Sequence, residues 1–364
     1  MAKKLSFDKL MFAVVMLLLV LGLVMVYTSS VAISSQGDGY VLSKSAFVKQ
    51  AAAALIGLMG MMVAMQVGYQ GLKKQWIIYP CLLGVLGLLV LVLQLAPHNN
   101  TNRWIRIGNL SMQPSELAKL MLVFFLAYQI DRKWGSINRP KFLVPAMACI
   151  ATLFLLVTIE PDLGSASVVL LVGGVMLFLS GISWRYIALA GLAAIPVVWV
   201  QVIAHPYRMA RLQTFLTGGA DPRGDGWQQT QSLIAVGSGG LTGVGLGKSG
   251  QKLRYLPEAN SDFIFSILCE ELGLLGGAFV LTLFGVLAWR GLRAGTRAPD
   301  QFGRHLAWGL TALVILQALL HTSVTLRILP VTGTTLPLLS YGGTSLVCTL
   351  FACGMLLNIS QHST

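Results

Sequence analysis

The sequence predicts an all-α integral membrane protein, a polytopic bundle of about ten transmembrane helices with one long extracytoplasmic loop. Three observations lead there. Hydrophobic residues make up 55% of the chain and charged residues only 11%, whereas soluble domains hold about a quarter charged residues. Apolar runs long enough to cross about 30 Å of hydrocarbon recur along all 364 residues. No polar block is large enough for a soluble domain, so residues 1–364 read as a single polytopic membrane domain.

The first expected span, 10–32, follows Met1-Ala2-Lys3-Lys4 without a small-residue cleavage site, which favours a retained helix over a removed signal peptide. Further spans are expected at 46–66, 76–96, 113–130, 142–160, 164–182 and 186–204. Glu160 and Asp162 fall where two short spans meet with almost no loop. Next comes the loop 205–261, rich in Gly with interspersed apolar residues and expected to pack on the outer surface. Loops of this length are usually functional or disordered. The last spans are 262–289, 305–325 and 338–358. The first of these would carry Asp262, Glu270 and Glu271 on one helix, with Asp262 and Glu270 about 12 Å apart along its axis.

Basic residues set the expected orientation. With both termini in the cytoplasm, the inner segments hold Lys73, Lys74, Arg132, Lys133, Arg139, Lys141, Arg185, Arg290, Arg293, Arg297 and Arg304, and the short outer loops hold few. That is the positive-inside pattern, and it accounts for the net charge of +13. Nucleic-acid binding would need a basic soluble face, which the chain lacks. Of the acidic residues only Asp8, Asp131 and Asp300 fall inside, so chemistry is expected at the outer face. The five cysteines lie in apolar runs and the five histidines are scattered, which suggests buried thiols and no metal-ligand spacing.

Asp262 is the leading candidate, because an ionisable residue where water meets hydrocarbon is costly and implies a function. Glu116 and Lys119 stand one helical turn apart inside an otherwise apolar run, as a structural ion pair or as substrate-lining groups. Arg103 and Arg106 flank Trp104, and Arg208 and Arg211 are spaced for one helix face. Such guanidinium groups suit phosphate oxygens, or they snorkel to lipid headgroups. The run Gly243 to Ser249, including Lys248, imitates a nucleotide loop but has Thr242 where that loop needs Gly. Glycines lining a substrate groove fit it better. Residues 329–345, with Ser340 and Tyr341, are interrupted by Pro and Gly, a pattern tolerated at membrane depth where backbone lines a cavity or where small residues pack helices.

Together these motifs resemble the FtsW and RodA family of shape, elongation, division and sporulation proteins. The matching segments are Asn102-Arg103-Trp104-Ile105, Gln113-Pro114-Ser115-Glu116, Pro161-Asp162-Leu163-Gly164, Tyr207-Arg208, Gln231-Ser232, Leu256-Pro257-Glu258, Asp262-Phe263-Ile264-Phe265 and Leu339-Ser340-Tyr341-Gly342-Gly343. The resemblance implies a ten-helix peptidoglycan glycosyltransferase that polymerises lipid II at the outer face of the bacterial inner membrane, at the division septum. Asp262 matches the family's catalytic aspartate. Substrate contacts are expected from Arg103, Glu116, Lys119, Asp162, Arg208, Arg211, Gln231, Ser232, Lys248, Glu258, Ser340 and Tyr341. The implied partners are a class B penicillin-binding protein and other division-complex membrane proteins. No organic cofactor is expected, and a divalent cation (Mg or Mn) would be held partly by the substrate pyrophosphate. Tyr255 to Ala259 resembles FtsW more than RodA, whereas Pro330-Val331-Thr332-Gly333 leans toward RodA. His321 and Arg327 stand where the family usually has Asn and Gly. The alternatives are a lipid flippase or transporter, a RodA-type elongation polymerase, and a non-catalytic scaffold.

Overall fold

The structure, a computed structural model, describes residues 7–33, 40–42, 44–95, 103–107, 110–204, 206–216, 226–252 and 256–362. The motif residues Asn102 and Tyr255 lie outside these. In chain order the helices are α1 (Lys9–Ser29), α2 (Lys44–Gln66), α3 (Gln75–Gln94), α4 (Pro114–Arg132), α5 (Pro140–Ile159) and α6 (Leu163–Leu179). They continue with α7 (Trp184–Ile203), α8 (Pro206–Leu216), α9 (Trp227–Ser238), α10 (Ile264–Thr296), α11 (Gln301–Thr325) and α12 (Gly343–His362). Two small antiparallel hairpins join them: β1 (Val31–Ile33) with β2 (Tyr40–Leu42), and β3 (Ile105–Ile107) with β4 (Leu110–Met112).

Every expected span is a helix, and eight of the described helices are long and apolar enough to cross a membrane. The other two expected spans differ for chemical reasons. Helix α4 carries Glu116, Lys119, Asp131 and Arg132, which dilute its hydropathy. Helix α6 has only 17 residues, because Asp162 caps its start and Gly181, at φ 84°, ends it after Ser180.

Several expected boundaries move: α10 runs on to Thr296 rather than 289, α11 begins at Gln301 rather than 305, and α12 ends at His362 rather than 358. Helix α1 stops at Ser29 and the chain turns into β1. Helix α12 starts at Gly343 rather than 338, because Leu338 is left-handed at φ 67°. Helix α10 starts at Ile264, leaving Asp262 in the preceding turn rather than on the helix with Glu270 and Glu271.

Helix α10 is also not continuous. Gly273, at φ 68° and ψ −169°, breaks it in two. A break at membrane depth frees backbone groups that hydrocarbon cannot satisfy. Here the segment after α9 satisfies them. The amides of Val244 and Gly245 donate to the carbonyls of Glu270 and Glu271 at 3.0 Å, and those of Leu274 and Leu275 donate to Gly240 and Leu241. A side chain on Gly243 or Gly273 would collide with this facing backbone, and both have φ values that favour glycine.

Helix α11 packs among α4, α6 and α10, while α12 lies along α2. Gly354 makes the latter contact close, since a Cβ there would stand 2.6 Å from the Met61 carbonyl. Helix α7 has no buried residue. It stands off from α5 and α6 across an apolar cavity of about 710 Å³ lined in part by Ile150, Leu170, Phe178, Ile187 and Trp199.

The beginning of α1 and the end of α12 share one end of the bundle, where the Asp8 amide donates to Ser360 Oγ at 3.2 Å. Tyr69 donates there to Asp300 Oδ1 at 2.6 Å, and Lys73 pairs with Asp131 at 2.7 Å. Asp262 is at the opposite end.

Candidate active site

The turn before α10 is built to hold one carboxylate. The Ser261 and Asp262 amides both donate to the Glu258 carbonyl, at 3.1 and 3.0 Å, and Glu258 is left-handed at φ 52°. The chain preceding α12 clamps this turn. Ser340 Oγ donates to the Ser261 carbonyl and accepts the Leu336 amide, both at 2.7 Å. The Tyr341 amide donates to the Asn260 carbonyl at 2.8 Å. Gln50 of α2 secures the clamp, donating from Nε2 to the Ser340 carbonyl at 3.0 Å and accepting the Gly342 amide at 3.1 Å.

Asp262 is half-buried. Burial and the negative charge of Glu258 push its carboxyl up to about 6, against the pull of Arg103, Arg211 and a hydrogen bond from Ser261. Gly333 faces it with φ 73°, and a Cβ there would stand 3.4 Å from Asp262 Oδ2 and 4.0 Å from Arg103 Nη1. Glycine therefore leaves the carboxylate and the guanidinium open to the same space. Arg103 also donates to the Pro161 carbonyl, tying the loop before β3 to the α5–α6 junction. The site thus draws on segments far apart in the chain.

The remaining sequence-predicted residues divide by position. Asp162 is buried and fully engaged: Oδ1 accepts the Ser165 amide at 3.0 Å, and Oδ2 accepts Gln113 Nε2 at 2.8 Å and Ser115 Oγ at 3.3 Å. Glu116 and Lys119 form a buried ion pair at 2.8 Å. Lys119 also donates to Gln317 Oε1, and Gln317 donates to the Thr335 carbonyl and hydroxyl. Ser232 bonds Ser266 Oγ at 2.6 Å and the Thr325 carbonyl at 2.8 Å, and Gln231 is buried beside it on α9. Arg208 and Arg211 do lie on one helix, α8, but they act apart. Arg208 is buried and donates to the carbonyl and side chain of Gln201, while the charge of Arg211 reaches Asp262. Glu258 is exposed and takes a hydrogen bond from Ser261. Lys248 is exposed on the segment that packs against Glu270 and Glu271, about 13 Å along the helix axis from Asp262.

Sequence reasoning missed Gln50, Gln317 and Lys252. Gln50 and Gln317 had a signal, a lone amide in an apolar run. Lys252 had none, because its burial depends on the packing of the loop: it pairs with Glu271 at 2.8 Å with both side chains buried. Ser249 Oγ and the Gly250 amide occupy Glu270. Arg327 is left-handed at φ 56°, which explains why glycine suits that position.

Among the described residues no three His, Cys, Asp or Glu side chains stand together as a metal cage.

A bundle of membrane-crossing helices that gathers a half-buried carboxylate and two arginines at one end defines a class, a multi-pass membrane enzyme. The sequence matches the model of the FtsW, RodA and SpoVE family, described as cell cycle proteins, over residues 8–364, and the chain belongs to that family. It is 40% identical to stage V sporulation protein E of Bacillus subtilis over 99% of both chains. It is 38% identical to a probable peptidoglycan glycosyltransferase FtsW of Trichlorobacter lovleyi, over 98% of this chain and 93% of the other. Among solved structures it resembles the rod shape determining protein RodA of Thermus thermophilus, with a TM-score of 0.72 at 27% identity over 98% of each chain. It also resembles a chain of a peptidoglycan synthase complex, with a TM-score of 0.77 at 27% identity over 98% of each chain. Several of its relatives are named probable peptidoglycan glycosyltransferase FtsW; the chain is a glycosyltransferase of this family, FtsW-like more than RodA-like.

Proposed function

We propose that the protein polymerises lipid II at the outer face of the cytoplasmic membrane with Asp262 as general base, and that it serves septal wall synthesis. The observation that carries this reading is the half-buried Asp262, left open by Gly333 and flanked by the charges of Arg103 and Arg211.

The acceptor sugar's 4-hydroxyl gives its proton to the Asp262 carboxylate as its oxygen bonds to the donor's anomeric carbon. The bond from that carbon to the lipid pyrophosphate breaks, with inversion, and the pyrophosphate leaves with the electron pair. A hydroxyl is a weak nucleophile at neutral pH, which is why a positioned base is worth about 10²–10⁴ in rate. Arg103 and Arg211 stabilise the departing charge. A divalent cation, if required, is carried on the substrate pyrophosphate. A class B penicillin-binding protein is the partner that crosslinks the product, a reading supported by the likeness to a chain of a peptidoglycan synthase complex.

The test is polymerisation of lipid II in liposomes containing the protein and its transpeptidase partner. Asp262→Asn keeps shape and hydrogen bonding but cannot take the proton, so it should make no glycan strands in an ordinary assay. Strands made at the wild-type rate would overturn the assignment.

A further inference from the structure

A carboxyl that shares Arg103 with Asp262 is left unused by the glycosyl-transfer mechanism. Glu160 follows the last residue of α5, is 0% exposed, and has no hydrogen-bond partner on either oxygen. The charged groups acting on it are Asp162, at the start of α6, and Arg103. Asp162 repels it, and Arg103 is already bonded to the Pro161 carbonyl and shared with Asp262. An ionised carboxylate in that position would be buried and uncompensated, which proteins avoid by neutralising the group. Burial first, then Asp162, pushes Glu160 up to about 9.

Its surroundings hold other buried polar atoms without partners: Arg103 Nε, Thr332 Oγ1 and Thr334 Oγ1. Close approaches bring their segments together. Gly164 lies against Thr334 Cγ2 and the Thr332 carbonyl, and Gly333 lies between Asp262 Oδ2 and Arg103 Nη1. Buried polar groups in native proteins are normally satisfied, so several unpaired atoms on segments that touch one another call for a ligand. Arg103 Nε, both threonine hydroxyls and a protonated Glu160 can all donate, and a phosphoryl oxygen accepts several hydrogen bonds at once. A carboxylate here would instead repel an anion.

We infer that Glu160 is a neutral acid that donates a hydrogen bond to a phosphoryl oxygen of the lipid-linked pyrophosphate. This rests on the glycosyl-transfer reading of the site. No proton is transferred: the O–H stays on Glu160 and strengthens its hydrogen bond as the pyrophosphate gains charge.

The experiment measures lipid II polymerisation in liposomes, with the partner, for wild type, Glu160→Gln and Glu160→Ala from pH 6 to 10. Glutamine keeps a neutral donor, so Glu160→Gln should stay within about twofold of wild type at neutral pH, while Glu160→Ala, like other lost oxyanion donors, falls by about 10²-fold. Wild type should lose activity as pH rises through about 9, and Glu160→Gln should lack that limb. A glutamine variant as inactive as alanine, or an alanine variant as active as wild type, overturns the inference. Infrared spectra of the purified proteins add a readout free of activity and of folding in the alanine variant. A protonated carboxyl stretch should be present at pH 7 in wild type and absent in Glu160→Gln, and its absence from wild type also overturns the inference. Should wild type itself make no glycan, the transfer reading fails, and the infrared band still decides whether Glu160 is neutral.

Discussion

In the proposed mechanism Asp262 accepts a proton only when ionised, and its raised pKa puts that transition at about 6. Turnover should therefore rise with pH through about 6, as read from a pH–rate profile. Arg103 pulls this value down, so Arg103→Met should move the acid limb to higher pH while Arg103→Lys largely holds it. The same shift has a sign for stability. A carboxyl raised in the folded state favours folding below its unfolded pKa of about 3.9, and that contribution is lost as pH rises through about 6. Asp262→Asn removes this loss, so at pH 8 it should melt at or above the wild-type temperature while making no glycan. Asp262 was legible in the sequence because a carboxylate bordering a span is costly to keep there without a chemical role. Its clamp was not, because nothing in the sequence places Gln50 beside Ser340, 290 residues away. Glu258 and Asp162 looked alike as acidic motif residues, yet one is exposed and the other is occupied on both oxygens.

At the scale of elements, the long loop and α10 form one structure. Hydropathy found the apolar run of α10 but not its break, because Gly273 in an apolar helix is indistinguishable by composition from a glycine that packs neighbours, such as Gly354. Helices α8 and α9 were hidden for a related reason: they are short and half-polar, and read as loop. The buried Lys252–Glu271 pair secures this assembly. Removing one partner of such a pair leaves an unpaired buried charge, so Lys252→Met should cost about 3–5 kcal/mol in a denaturation assay. The double replacement Lys252→Met with Glu271→Met should recover most of that loss; a double variant as unstable as the single one would show that the pair matters through its geometry rather than its charge.

For the whole molecule, the positive-inside rule predicts that the end whose loops are crowded with Lys and Arg faces the cytoplasm. The described termini share that end. Cysteines introduced at Pro299 and Ser111, both exposed and at opposite ends, test it in a background lacking the exposed Cys81. An impermeant thiol reagent applied to intact cells should label Ser111→Cys and spare Pro299→Cys, and the reverse pattern would invert the orientation. The order of the expected spans was readable because each must satisfy its own backbone in lipid. Their mutual packing was not, because between helices surrounded by hydrocarbon, small-residue contacts such as Gly354 on Met61 decide what touches what.

The clamp on the Asp262 turn also bears on how the enzyme is made. Ser340, Tyr341 and Gly342 are among the last residues before the final helix, and they tie the turn to Gln50 near the start of the chain. During synthesis the preceding helices can enter the bilayer and dock while the Asp262 turn still lacks its support. Competence arrives when the final span inserts and brings Ser340 to Ser261. A nascent chain stalled before residue 336 would carry Asp262 in a turn that lacks its bonds to Ser340 and Tyr341.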